Sequence, residues 1–261
     1  MHAATWNLNP GAYVEGERRQ VVLVTGAAGS IGRETLRLFA PRFHLATADR
    51  KRLPEPDDAL VGRQLIVDLG DDDAVREAFA QVPSLGPLQH VIAIAGGGDI
   101  EELTDPDPAT EDTAVFTRVI SENLVTAFVT IRHALPLLRA GDGDRSIALL
   151  SSINAFGGYG APAYSAAKAG LIGLANALAT PLGHDGIRIN SLALGTVDTD
   201  HLRELSKARG VEPDLDRVAS RNPLGRVLTP DEVAKALAAT VDMPGLTGAT
   251  IVLDNGQTHI R

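Results

Sequence analysis

The chain has 261 residues, 44% of them hydrophobic, with a net charge of −9 and no cysteine. That apolar content fills the core of one large α/β domain or two small ones. Disulfides and thiolate metal sites are excluded, and an acidic chain without a basic cluster is a poor partner for nucleic acid or an anionic membrane.

Residues 1–19 include Trp6, Asn7, Asn9, Pro10 and Gly11 and lack the apolar core of a signal peptide. They read as an N-terminal arm before a domain spanning 20–261. No later apolar run reaches the ~18 residues of a membrane span. Without cysteine, the expected compartment is the reducing cytoplasm. The histidines are scattered, with no pair at ligand spacing, so no metal site is expected.

Gln20 to Thr25 is a β-branched run that reads as a buried parallel strand. Gly26-Ala27-Ala28-Gly29-Ser30-Ile31-Gly32 follows at once, and Arg33 to Ala40 reads as a helix stopped by Pro41. Strand, glycine loop and helix together form the context of a dinucleotide fingerprint. The glycines permit a tight turn and close approach to a pyrophosphate, and the helix start offers N–H groups and a positive dipole end. His44 to Ala48 is a second strand with Asp49 at its end. That position is close to the ~20-residue spacing expected of an acid that binds an adenosine ribose. Arg50, Lys51 and Arg52 follow.

Leu53 to Gly62 reads as loop, Gln64 to Val67 as a third strand ending at Asp68, and Asp71 to Ala80 as a helix. Leu88 to Ala95 is a fourth strand running into Gly96-Gly97-Gly98, which suits either a ligand or a flexible turn. Glu101 to Pro108 reads as loop. Thr113 to Arg139 carries a helical stripe of Phe116, Ile120, Leu124, Ala127, Phe128 and Ile131. Asn123 lies on that side, as a satisfied core group or as part of a polar site. Ile147 to Leu150 is a fifth strand, and a helix follows from Ala163 to about Pro181. Ile187 to Leu192 is a sixth strand leading to Gly195-Thr196-Val197-Asp198-Thr199. The charged stretch His201 to Asn222 reads as two short helices, with a candidate lid over 196–222. Thr229 caps a helix to about Val241, and Ala249 to Leu253 is a last strand. The alternation predicts one doubly wound Rossmann-type α/β domain, its seven-stranded, mostly parallel sheet in the order 3-2-1-4-5-6-7.

The chemistry concentrates between Ser151 and Lys168. Tyr164 and Lys168 stand at i and i+4, on one face of a helix opened by Pro162. A phenol beside an ammonium is expected to titrate below its usual ~10 and to exchange a proton with an alcohol or ketone. Ser151 and Ser152 end the preceding strand, where a hydroxyl can reach the same substrate oxygen.

The chain resembles a classical short-chain dehydrogenase/reductase over about residues 20 to 257. TGAAGSIG, Asp68-Leu69, Asn123, Ser152, YSAAK, IRINSLALGTVDT and TGATIVLDNG stand in that family's order and spacing. The resemblance implies Tyr164 as general acid/base and Lys168 as the group that lowers its pKa and binds the nicotinamide ribose. It implies Ser152 as the group that orients the substrate oxygen and Asn123 as the holder of a water in a proton relay. Gly26, Gly29, Ser30 and Ile31 would meet the cofactor's phosphates, Asp49 its ribose, and Asp68 and Leu69 its adenine. Ala95 and Gly96 would line the cofactor site, with Val197 and Thr199 at the nicotinamide carboxamide. Ser151 fits the family's raw spacing, and Ser152 its place after the strand; Ser152 is taken. Ala93-Ile94-Ala95-Gly96 replaces the family's usual Asn-Asn-Ala-Gly, and Leu194 its usual proline.

The expected function is NAD-dependent oxidation and reduction between a secondary alcohol and a ketone. The alternative is a non-catalytic NAD(H) sensor. An epimerase of the extended branch rests on TGxxGxxG alone and is disfavoured. Asp49, with no base in the glycine loop, favours NAD over NADP; Arg50 is the rival consideration. Gly97, Asp99, Asn154, Phe156, Tyr159 and His201 are expected to face a small-molecule substrate. Apolar residues on more than one face of the 113–139 and 163–181 helices, read with the resemblance, imply a homodimer or homotetramer.

Overall fold

The computed structural model of the chain describes residues 20–104, 109–110, 112–157 and 161–259. The N-terminal arm and Tyr159 lie outside the described residues. The strands are β1 (Val21–Thr25), β2 (His44–Asp49), β3 (Arg63–Ile66), β4 (Leu88–Ala93), β5 (Arg145–Ser152), β6 (Ile187–Leu194) and β7 (Thr250–Leu253). They form one sheet in the order β3-β2-β1-β4-β5-β6-β7 with every pairing parallel. The helices are α1 (Ser30–Phe39), α2 (Asp72–Phe79), α3 (Ile100–Thr104), α4 (Thr113–Ile120), α5 (Thr126–Arg139), α6 (Pro162–His184), α7 (Asp200–Ala208), α8 (Leu215–Arg221) and α9 (Pro230–Val241).

Side chains alternate across a strand, so a strand covered on both faces must be apolar throughout. β1 meets that demand. Val21 and Leu23 join the core layer under α2, α5 and α6, and Val22 and Val24 the layer under α1 and α9. β1 lies between β2 and β4, so the strand order reverses there, and a crevice opens beyond the strands' carboxyl ends.

Three elements depart from the sequence reading. The segment read as loop from residue 101 begins as α3, whose start is fixed by Asp99: its Oδ1 accepts the Glu101 N–H at 2.8 Å. The single helix expected over 113–139 is α4 and α5 joined by a π-turn at Ser121–Val125. There the Asn123 Nδ2 donates to the Val119 carbonyl at 3.0 Å, so the side chain competes for a carbonyl of the helix ladder. This segment is long and apolar enough to cross a membrane, but Val129, Ile131, Ala134 and Leu138 are buried in the core. Finally, β5 continues through both serines, because Ser151 and Ser152 pair with Ala193 and Leu194 of β6.

Candidate active site

A cleft of about 1270 Å³ runs along the carboxyl ends of the strands. Its first wall is the glycine loop. Gly26 has φ +65°, and a Cβ there would lie 2.7 Å from the Ala95 nitrogen, so only glycine lets the loop lie against the end of β4. α1 then starts at Ser30 with Gly29 as N-cap and no side-chain cap, leaving N–H groups directed at the cleft. Asp49 reaches this loop from the end of β2. Its Oδ2 accepts the Ala28 N–H at 3.0 Å and its Oδ1 the Lys51 N–H at 2.9 Å. The carboxylate is thereby fixed at the rim. Arg50 turns to Glu122, with Nη1 3.6 Å from Oε1. Gly29, Ser30, Ile31, Asp68, Leu69, Ala95 and Gly96 line the same cleft, and Val197 and Thr199 face it from beyond β6. A glycine cradle, an uncapped helix start and a fixed acid suit a dinucleotide, so the residues present fit the cofactor that the sequence implies.

The second wall is the start of α6. Pro162 occupies its first turn, and its N-cap, Ala161, offers no side-chain cap. The cap comes from α3: Glu102 Oε1 accepts the Ala163 N–H at 2.6 Å and the Tyr164 N–H at 3.0 Å. A carboxylate at a helix N-terminus is favoured by both hydrogen bonding and the dipole. The sequence reading missed Glu102; the adjacent acids Glu101 and Glu102 after the glycine run were its only trace.

Tyr164 and Lys168 stand together as expected, with Nζ 5.4 Å from the centre of the phenol ring. Nζ donates to the Leu150 carbonyl at 3.0 Å. The two serines separate by strand alternation. Ser151 Oγ turns under α6 and donates to the Lys168 carbonyl at 2.7 Å. Ser152 Oγ accepts the Asn154 N–H at 3.2 Å, donates to the Leu194 carbonyl at 3.4 Å and lies close enough to the Tyr164 phenol to favour its ionised form. Ser152 is therefore the serine that the fold brings to the phenol.

Burial governs the electrostatics here. It pushes the Tyr164 phenol up to about 12; the nearby Ser152 hydroxyl opposes this and the Glu102 charge adds to it. Burial also brings the Lys168 ammonium down to about 8. The expected lowering of the phenol by its neighbouring cation is thus overridden. The physical reason is that desolvation is the largest influence on both groups.

Asn123 does not line the cleft. It is 1% exposed, and its carboxamide is engaged by the backbone: Oδ1 accepts the Gly97 N–H and Nδ2 donates to the Gly97 carbonyl, both at 2.9 Å. It holds the loop after β4 in place. Of the residues expected to face a substrate, Gly97, Asn154 and His201 line the cleft. Asp99 and Phe156 do not. Asp99 is held by Arg118, whose Nε and Nη2 donate to its Oδ2 at 3.1 and 3.0 Å, and Phe156 is 52% exposed.

Comparison with known proteins agrees with this architecture. A family model described as enoyl-(acyl carrier protein) reductase matches residues 26–258. An uncharacterised oxidoreductase of Schizosaccharomyces pombe is 35% identical over 91% of this chain and 90% of its own length. Cis-4-hydroxycyclohexanecarboxylate dehydrogenase of Sinomonas cyclohexanicum is 30% identical over 92% and 97%. An uncharacterised short-chain type dehydrogenase/reductase of Sinorhizobium fredii is 32% identical over 93% of this chain, which spans 44% of that longer protein. Among solved structures, a short-chain oxidoreductase of Burkholderia thailandensis superimposes with a TM-score of 0.80 at 29% identity, covering 92% of this chain and 93% of its own. ElxO with NADP bound superimposes with a TM-score of 0.81 at 22% identity, covering 92% and 99%. The fold and the cleft define an oxidoreductase built around a nicotinamide nucleotide site. The chain belongs to the short-chain dehydrogenase/reductase family.

Proposed function

We propose that the protein is an NAD-dependent oxidoreductase that interconverts a secondary alcohol and its ketone, with Tyr164 as general acid/base. The observation that carries this reading is that Ser152, Tyr164 and a buried Lys168 line one cleft together, with the Lys168 Nζ 5.4 Å from the centre of the phenol ring. When bound, the nicotinamide supplies or accepts the hydride. Ser152 orients the substrate oxygen, and Tyr164 gives that oxygen its proton in reduction and takes it back in oxidation. With its phenol held near 12, Tyr164 stays protonated at neutral pH and is ready as the acid of ketone reduction. The Sinomonas relative, named for a ring alcohol, supports this substrate class. The test is NADH oxidation with a panel of ketones and diketones. NADH binding without turnover of any of them would favour the sensor reading.

NAD is the proposed cofactor because the Asp49 carboxylate is fixed where two hydroxyls of a ribose can donate to it, a charge-assisted pairing that a 2′-phosphate cannot make. Arg50, the basic residue next to Asp49, is turned towards Glu122. Asp49→Ala is expected to weaken NADH binding and to raise kcat/KM for NADPH relative to NADH by about tenfold, ~1.4 kcal/mol. A wild-type enzyme with higher kcat/KM for NADPH would assign the choice to Arg50 and overturn the NAD reading.

The protein is also proposed to assemble as a dimer or tetramer. α4, the π-turn and α5 expose Phe116, Val125 and Phe128 at 38, 40 and 48%, a grouping that a second copy would cover. Sedimentation at micromolar concentration should give at least twice the chain mass of 27.4 kDa. A monomer would count against this assembly.

A further inference from the structure

α7 contains no buried residue, yet it lies across the cleft. Its packing is slight: Leu202 and Leu205 are only half-buried, with Leu205 beside Gly98. Its polar attachments reach opposite rims. On one rim, the ring of His201 meets the Gly98 carbonyl through Nε2 at 3.1 Å. On the other, Asp200 meets the glycine loop and α1. Its Oδ2 accepts from Ser30 Oγ at 2.9 Å and from Arg33 Nη2 at 2.7 Å. The Ser30 oxygen in turn accepts the Asp200 N–H at 3.0 Å. These groups lie about 170 residues apart in sequence and close a ring of hydrogen bonds.

Arg33 is the informative member. It sits in the first turn of α1, where the dipole favours an anion and a cation is out of place. Its partner is the carboxylate on α7, and both side chains line the cleft whose glycine loop is suited to phosphates. The arginine thus ties the strap to the loop.

We propose that Asp200 is a positioning residue: through Ser30 and Arg33 it latches α7 over a bound nicotinamide nucleotide and sets how long the nucleotide stays. The proposal rests on the reading that the cleft holds such a nucleotide. Asp200 takes no part in the chemistry; it governs the closing of the strap that carries Thr199 at its head.

The test measures dissociation of NADH by stopped-flow fluorescence, chasing the full-length protein with excess NAD, and uses NADPH and NADP if only the phosphorylated form binds. The variants are Asp200→Asn, Arg33→Gln and the double variant. Each single change should raise the dissociation rate about three- to fivefold, in the range of a partly exposed ion pair. The double variant should dissociate no faster than the faster single, since both break one latch. Unchanged rates in the singles overturn the proposal. So does a double variant whose effect is the product of the singles, which would mean that Asp200→Asn acts only by loosening its own helix. A wild-type protein that binds neither nucleotide would overturn the nucleotide reading itself, and the latch with it.

Discussion

Tyr164→Phe is expected to bind NADH as the wild type does and to lose roughly 10²–10⁴-fold in kcat, the usual worth of one general acid–base group. The ring packs beside Val115, Val119 and Ala163, and phenylalanine keeps that packing. The α6 cap is made by the residue's backbone N–H, not by its hydroxyl, so the start of the helix is also kept. Only the phenol oxygen is removed. Nucleotide affinity by fluorescence titration and kcat on the preferred ketone separate binding from chemistry. Turnover within a few-fold of wild type would show that another group moves the proton.

The second large effect is on stability, and its sign is opposite to its effect on activity. Lys168 is 4% exposed and titrates at about 8 in place of 10.5. Between those values the unfolded chain holds a proton that the folded chain has released. Stability therefore rises with pH through this window, and below about 8 the buried ammonium costs the fold roughly 3 kcal/mol. Lys168→Met keeps most of the apolar stem and removes the charge, at the expense of the bond to the Leu150 carbonyl. It should raise the urea midpoint at pH 7, by an amount worth roughly 1–3 kcal/mol, and the gain should shrink at pH 10. Turnover should fall at the same time, because the ammonium expected to bind the nicotinamide ribose is gone. A variant less stable than wild type at pH 7 would show that the Leu150 bond outweighs the burial of the charge.

The elements that could be read from sequence were those written in local pattern. The apolar run of β1, the glycine loop and the acid ending β2 are contiguous, and Tyr164 and Lys168 need only the helical repeat to meet. The parallel, doubly wound sheet follows from strand–helix alternation. What escaped depends on distant partners or on a one-residue choice. Nothing near Ala161 says that the cap of α6 is Glu102, 61 residues before Ala163. Ser151 and Ser152 differ only in which side of β5 they face, and that is decided by how far β5 pairs with β6. The π-turn at Asn123 arises from a carboxamide bonding within its own helix and to Gly97, neither of which has a periodic signature. The titration of Tyr164 was misjudged because sequence gives proximity of charge but not depth of burial.

With Tyr164 in its proposed role, the bonds from Glu102 to the amides of Ala163 and Tyr164 mean that shape selection and proton transfer are not separable modules in this protein. The segment after β4 lines the cleft, and such segments are the natural choice for exchange when specificity is to be altered. Here the same segment seats the tyrosine. A foreign loop without an acid at position 102 would leave two amides at the head of α6 without their carboxylate, and a change meant for selectivity would surface as a loss of rate. Redesign should therefore treat residue 102 as part of the catalytic helix and confine variation to its neighbours.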